Sequence, residues 1–379
     1  MLQIPALPQL QYLQLEVKPQ PSNLREQPLL LRQLGSVTEL HLEGIAVQER
    51  DELPPQLQKL EAHDIISVEP LCSLTRLTEL RVSHTTTPGP QLQRLGQSLR
   101  NLCSVDLTYD EYDHISSSAA GWLALPLKTL DIDMHYTAMD EIGRSTLACL
   151  AGATKLTGLF ITNCELVATA RWELAQVICK LTGLQSLVLV ELQFSATQEE
   201  EEAAAAAAAA VEATAEPAVV AAAGQPAMPD VVGWSAILHA AAGLLQLHSL
   251  SIDVPLGAAA AAQLATQLQQ LAIYGNSIEE ENWEQDSPSE LQLINVICSM
   301  PWLRALRLDY QPHLSDTAMH VIGLTQLTSL SLDGCSCITD AGLKHLTGLH
   351  QLKHLSLTGA AATTSAAHAL LPCVSVSSR

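Results

Sequence analysis

Cys335-x-Cys337 lies shortly before His345, His350 and His354, and thiolates and imidazoles are the side chains that hold zinc. The spacing argues against such a site. The histidines are spread over a helical stretch and a later extended one, and no paired CxxC occurs in the chain. Serine, histidine and aspartate are abundant, yet no Gly-x-Ser-x-Gly elbow presents a nucleophile. Neither a P-loop nor a dinucleotide-binding glycine pattern is present. We therefore expect no enzyme, no metal site and no cofactor. The chemistry left to this sequence is recognition by side chains held at fixed spacing.

A device for holding them is written along the chain. The pattern L-x-x-L-x-L, with conservative exchanges, recurs at Leu13/Leu15, Leu40/Leu42, Leu60/Ala62, Leu80/Val82, Val105/Leu107, Leu130/Ile132 and Leu159/Ile161. It continues at Leu187/Leu189, Leu250/Ile252, Leu271/Ile273, Leu306/Leu308, Leu330/Leu332 and Leu355/Leu357, thirteen pairs in all. Successive first members are 27, 20, 20, 25, 25, 29, 28, 63, 21, 35, 24 and 25 residues apart. All but two of these spacings match the period of leucine-rich repeats. Alternation over x-L-x-L-x is a strand that buries one face. Between strands, Trp172, Ala175, Ile178 and Leu181 share a helical face, as do Leu291, Ile294, Ile297 and Met300. Ser287-Pro288-Ser289-Glu290 opens the second helix with a capping serine, a first-turn proline and a glutamate three residues on.

One strand and one helix cannot hide their apolar sides alone, whereas stacked copies can. The predicted fold class is α/β, a right-handed leucine-rich-repeat solenoid (horseshoe) with a concave parallel sheet of about 13 strands and convex helices. The solenoid is expected over 1–360, interrupted at 195–230 by a low-complexity Glu/Ala/Pro insertion, with a C-terminal cap and tail at 361–379. The excess residues around Glu279-Glu280-Glu281 read as an acidic surface loop.

Leu327-Thr328-Ser329-Leu330-Ser331-Leu332-Asp333-Gly334-Cys335-Ser336-Cys337-Ile338-Thr339-Asp340-Ala341-Gly342-Leu343 resembles the cysteine-containing subtype of leucine-rich repeat. Cys335 stands at that pattern's cysteine, and Ile338-Thr339-Asp340 matches the step into the helix. Leu314-Ser315-Asp316 is a weaker echo, and Cys164 also takes the cysteine position. Proteins with this subtype are often substrate-recognition subunits of SCF ubiquitin ligases, carrying an F-box before the repeats. Others are intracellular scaffolds, some of them axonemal. The resemblance thus implies a non-catalytic protein-binding scaffold or adaptor, with a ubiquitin-ligase substrate receptor as the alternative. Repeats begin by about residue 7, so no F-box is expected. The position that should be Asn or Cys is filled by Cys164, Cys335 and Asn276 but elsewhere by Ile45, Ile65, Thr85, Asp110 and Leu192. A regular asparagine ladder is therefore not expected.

Composition narrows the partners. The formal net charge is −21 and the pI about 4.9, which disfavours duplex nucleic acid and anionic membranes. A basic protein surface is the complement. The nine cysteines are scattered, and several lie in apolar runs, which fits reduced thiols in the cytosol. Met1-Leu2-Gln3-Ile4-Pro5 lacks the basic start of a signal peptide, and no apolar run reaches membrane-spanning length. The expected location is cytoplasmic, with the cytoskeleton or cilium axoneme implied by the resemblance.

With the leucines pointing inward, the residues before, between and after them face outward. They carry an acidic band, Glu39, Glu43, Glu61, Glu79, Asp106, Asp131 and Asp133, with Arg81 among them. Beside it stand Phe160, Val188 and Val190, apolar where polar residues are expected. An apolar centre with a charged rim is a common binding patch. We expect these residues to bind a protein partner with a basic surface. A solvated face would equally fit the acids, and a cover from the 195–230 insert would fit the apolar three.

Overall fold

The structure is a computed structural model. It describes residues 9–16, 27–109, 115–133, 144–167, 170–195, 229–253, 262–275, 294–295, 297–311, 313–321, 324, 326–362 and 364–377. The chain divides into two compact units, Met1–Leu184 with Leu192–Glu212, and Gln185–Glu191 with Ala213–Arg379. The 195–230 insertion, the Ser287–Glu290 cap and the acidic loop near Glu280 lie outside the described residues, apart from the ends of the insertion.

The first unit is built on β1 (Tyr12–Glu16), β2 (Glu39–Val47), β3 (Lys59–Ile65), β4 (Glu79–Val82), β5 (Ser104–Tyr109), β6 (Leu127–Asp133) and β7 (Gly158–Thr162). Each pairs in parallel with the one before it. Between them run α1 (Glu69–Cys72), α2 (Gly89–Ser98), α3 (Ile115–Trp122) and α4 (Arg144–Gly152), with α5 (Ala170–Lys180) after β7, each touching the next. A short parallel pair, β8 (Glu165–Val167) and β10 (Gln193–Ser195), also belongs to this unit.

The second unit holds seven parallel strands in the order β9 (Ser186–Val190), β11 (Ser249–Ile252), β12 (Gln270–Tyr274), β13 (Ala305–Asp309), β14 (Ser329–Ser331), β15 (His354–Ser356) and β16 (Ser375–Ser377). Its helices include α6 (Pro229–Ala242), α7 (Asp316–Val321), α8 (Asp340–Leu343) and α9 (Thr364–Leu370). Each unit is thus a parallel leucine-rich-repeat array. With seven strands apiece they exceed the expected number by one. The extra rung is β16, which pairs with β15 inside the segment expected to be only a cap and tail.

The inward leucines carry these units. Leu40 is 2% exposed, Leu130 and Leu187 are fully buried, and Leu330 is 1% exposed. Burying each such side chain contributes about 1.5–3 kcal/mol. Helices close the other side: Ala175 and Ile178 of α5 are buried with Leu181, as are Ile294, Ile297 and Met300. Tyr109 and Trp122 fill the first unit behind β5, and the indole N–H donates to the Tyr109 hydroxyl at 2.9 Å. Burial pushes the Tyr109 hydroxyl up to about 12.

One expected register is corrected. Leu13, Leu40, Leu60, Leu80 and Val105 stand opposite one another in turn. At β6 the pairing slips. Leu127 stands opposite Val105, Lys128 is extra, and Leu130 stands opposite Leu107. Leu159 then follows Leu130. Both Leu127 and Tyr109 are buried, so β5 and β6 each gain an inward residue at this step. The outward neighbour of Asp131 is therefore Thr108, and not Asp106.

The strand ends repeat a second device. Gly44, Asn163, Glu191, Tyr310, Gly334 and Gly359 have φ of 54–72°, and each stands two residues past the second member of its leucine pair. Only glycine takes this left-handed corner freely, so Glu191 and Tyr310 hold it at a cost of about 1–2 kcal/mol. The corner aims backbone N–H groups along the stack: Gly275 N to Asp309 O, Tyr310 N to Asp333 O and Gly334 N to Thr358 O, all 2.7 Å. Carboxylates finish the rungs. Asp333 accepts the Ser356 hydroxyl at 2.7 and 2.9 Å and the Thr358 N–H at 2.7 Å, and Asp309 accepts the Ser331 hydroxyl at 2.7 Å. Aspartate here performs a turn-satisfying role where no asparagine ladder was expected.

Asp333→Ala leaves the Thr358 N–H without this partner, and the expected cost is about 1–3 kcal/mol. Urea unfolding of the purified chain measures it, and an unchanged midpoint would remove the carboxylate from the account of rung cohesion.

Candidate functional site

The outward positions of β1–β7 form the candidate surface of the first unit. They hold eight carboxylates (Glu16, Glu39, Glu43, Glu61, Glu79, Asp106, Asp131 and Asp133) against Lys59 and Arg81, with Lys128 exposed where β6 begins. The acids are not a plain band, because parallel pairing sets unlike charges on adjacent rungs. The Lys59 ammonium lies 3.9 Å from Glu39 and 3.5 Å from Glu79. His41 Nε2 lies 3.4 Å from Glu61, and Arg81 lies 3.3 Å from Asp106. Gln14 donates to Glu43 at 3.2 Å, and the Thr129 hydroxyl donates to Asp106. Lys59 escaped the sequence argument because it precedes its leucine. Its signal was available, since Glu39 and Glu79 occupy the same place one rung away on each side. These exposed pairs are worth a few tenths of a kcal/mol each and serve mainly to fix side-chain positions. Tyr12, His41, Glu61 and Arg81 are among the residues lining a shallow trough of about 190 Å³.

Asp131, Asp133 and Phe160 meet at the far strands of this unit. Asp131 stands opposite Phe160, and Asp133 opposite Thr162. The Phe160 ring lies back over Gly158, where a Cβ would come within 2.9 Å of it and 3.0 Å of the Thr129 methyl. Glycine at 158 is what lets the ring lie flat. Burial raises the Asp131 carboxyl from 3.8 to about 6, and the nearby Asp133 charge adds to the shift. Asp133 is anchored by the Asn163 side-chain N–H at 2.8 Å. The site thus joins a half-buried ring to a reluctant carboxylate, with the ion-paired lattice on earlier rungs.

Val188 and Val190 belong to β9 of the second unit, and both are half-buried outward residues. Val188 stands opposite Ser251. Phe160 and the two valines therefore lie in different units, and the structure does not define them as one patch. The second unit has its own trough of about 500 Å³, lined by hydroxyls at Ser251, Ser331, Ser356 and Ser377 around Arg307 and Tyr274. The Arg307 guanidinium donates to the Tyr274 hydroxyl at 3.2 Å and lies 3.1 Å from Asp309. Burial raises Asp253 to about 6 although the Glu191 N–H donates to it. Burial likewise raises Asp309, against the pull of the Ser331 hydroxyl and Arg307.

The cysteine of the clearest repeat is structural. Cys335 is fully buried and donates its thiol to Leu308 O at 2.9 Å, and burial pushes it up to about 11. Cys164 takes the same position, donating within its own rung to Thr162 O at 3.1 Å and reaching Ile132 O of the preceding rung at 3.8 Å, and burial raises it further. Thr339 caps α8, accepting from Ala341 N at 3.2 Å. Its own N–H and hydroxyl donate to Asp316 at 2.8 and 2.6 Å. The slight burial of Asp316 opposes ionisation, but these hydrogen bonds outweigh it and hold the carboxyl below its usual range. Cys337, His345, His350 and His354 are exposed, and among the described residues no three His, Cys, Asp or Glu side chains cluster to hold a metal. Among the same residues no helix is long and apolar enough to cross a membrane.

Parallel rungs, inward leucines and helices on the opposite side define the chain as a leucine-rich-repeat solenoid protein. Its sequence matches no family model and no curated protein. Solved structures similar to it include an internalin, InlF, from Listeria monocytogenes, at 19% identity over 91% of this chain and 87% of that one, with a TM-score of 0.46. The yeast Rad7 and Elc1 complex gives 13% identity, 85% and 81% coverage and a TM-score of 0.49. The TLR13–ssRNA13 complex gives 15% identity, 90% and 59% coverage and a TM-score of 0.36.

The raised carboxyl sets a sign. The fold favours protonated Asp131, so its contribution is most favourable below the ordinary value of 3.8 and is lost as pH rises toward about 6. Asp131→Asn is expected to melt higher than the parent at neutral pH, with the difference vanishing in acid. Melting curves across pH check this, and a lower melting temperature for the variant at neutral pH contradicts it.

Proposed function

We propose that the chain is a non-catalytic protein-protein interaction scaffold or adaptor that holds a partner on its outward strand face. The observation that carries this reading is the first unit's surface. Eight carboxylates outnumber the cations there, and the cross-strand pairs hold side chains in place before any partner arrives. Preorganised side chains lose less freedom on binding. A basic partner surface is the complement, with Phe160 as the apolar contact beside Asp131 and Asp133. In the second unit, Val188 and Val190 offer a smaller apolar contact. The reading places the protein in the cytoplasm, where thiols such as Cys335 and Cys164 stay reduced. A cytoskeletal or axonemal setting rests on the repeat resemblance alone.

A second reading, a substrate receptor of an SCF-type ubiquitin ligase, is favoured by the cysteine-containing repeat. Buried Cys335 bonds the preceding rung, and Thr339 caps the helix that follows. Recovery of a Skp1-type adaptor with the full chain would favour this reading over a plain scaffold.

A photo-crosslinking residue in place of Arg81 or Phe160, introduced in cells, tests the proposal. The expected outcome is a partner with a basic contact surface, whose capture falls about tenfold when Glu61→Lys and Asp131→Lys are combined and falls further at high salt. Crosslinks that form equally from Gln93 on α2, and persist in the charge-reversed chain, would contradict it.

A further inference from the structure

Four exposed cations of the first unit line the edge where its strands begin. Arg76, Arg100, Lys128 and Lys155 are exposed; Arg76, Arg100 and Lys155 sit in the turns that enter β4, β5 and β7, and Lys128 is the second residue of β6, where that strand begins. Among the described residues none of the four has a carboxylate within ion-pairing distance, whereas Lys59, Arg81 and Arg94 are all paired. No Asp or Glu occurs at 73–78, 97–103, 123–128 or 152–157. In a chain of net charge −21 these four strand entries, free of acids in their own segments, form a basic edge. The turns are tied to one another. The Asn101 side chain donates to Thr75 O at 2.7 Å, Cys103 N to Thr78 O at 2.8 Å, and Thr157 N to Lys128 O at 2.8 Å. The cations therefore stand on a fixed backbone spacing, near 4.8 Å per rung or roughly 14 Å over four, the reach of about five extended residues.

An apolar side chain stands among them. Leu123 is 56% exposed. A Cβ on Gly152 would lie 2.3 Å from its methyl, and a Cβ on Gly96 would lie 2.2 Å from Ala124 O. The Leu123 turn thus packs between the ends of α2 and α4, beside the turns that carry Arg100 and Lys155. Cations after helix C-termini also offset the helix dipole. That accounts for Arg100, two residues past α2, and for Lys155, three past α4, but not for Lys128, six past α3.

We propose that this edge is a second interaction surface, distinct from the strand face, that binds an extended acidic polypeptide segment with an apolar residue seated on Leu123. A polypeptide fits better than nucleic acid for two reasons. Single strands are held by aromatic side chains, and the four turns contain no Phe, Tyr, Trp or His. A duplex would bring its second row of phosphates toward the carboxylate-rich strand face.

The test uses the full chain and a fluorescent peptide of about eight residues, Glu-rich with one central leucine, read by anisotropy at low salt near 20 mM. Combined Arg76→Gln, Arg100→Gln, Lys128→Gln and Lys155→Gln is expected to weaken binding by about tenfold or more. Combined Arg50→Gln, Arg94→Gln and Lys344→Gln, which removes charge elsewhere, is expected to change it less than about twofold. Leu123→Ser is expected to weaken the leucine peptide and leave its glycine counterpart unchanged. If the quadruple variant fails to fold, Arg100→Gln and Lys128→Gln alone are each expected to weaken binding by about twofold. No binding by the parent chain, equal loss in both charge variants, or tighter binding of a uridine oligonucleotide would overturn the proposal.

Discussion

The structure depends on hiding one side of many short parallel strands while leaving the other side free. Each leucine pair is worth a few kcal/mol only if the rungs before and after it are in place. No single rung stands alone, and the backbone must stay in step across the stack. From β12 to β15 the strand-end turns and the carboxylates of Asp309 and Asp333 keep that step, joining the end of one rung to the next through N–H and hydroxyl donors. Where the step changes, at Lys128, the inward set is preserved by burying Leu127 and Tyr109.

A free outward side can carry almost any residue, and this chain has sorted its charges across it. Carboxylates collect on the outward strand positions of the first unit, and Arg76, Arg100, Lys128 and Lys155 line the edge where its strands begin. Lys59 and Arg81 are the exceptions on the strand face, and both are engaged by acids on neighbouring rungs. Such sorting gives one unit two electrostatically opposite surfaces, which suits a scaffold that holds more than one partner.

Much of this was legible in the sequence. The thirteen leucine pairs located their rungs because burial in a parallel array demands a fixed residue type at a fixed interval, and that is a one-dimensional signal. Three things were not legible. The β5–β6 slip depends on one extra residue, Lys128, inside a motif that reads normally, since Leu127, Leu130 and Ile132 satisfy the same pattern as any other repeat. β16 consists of Ser375, Val376 and Ser377, too short and polar to signal a strand except through pairing with β15. The basic edge lies in the turns between motifs, where attention to leucine periodicity passes over residues such as Arg100 and Lys155. Of the candidate site, the acids and Phe160 were readable as outward residues. Their ion pairs and the proximity of Phe160 to Asp131 required knowing which rung faces which.

The two-sided strand is the central claim, and an aspartate scan across β3 to β7 tests it most directly, with stability read by urea unfolding. Aspartate at Leu60, Leu80, Leu130 or Leu159 should cost about 3–5 kcal/mol or prevent folding. At the outward Glu61, Glu79 or Ser83 it should change stability by less than about 1 kcal/mol. Equal damage at both sets of positions would mean that the strands have no free face, and the account of recognition would fall with it.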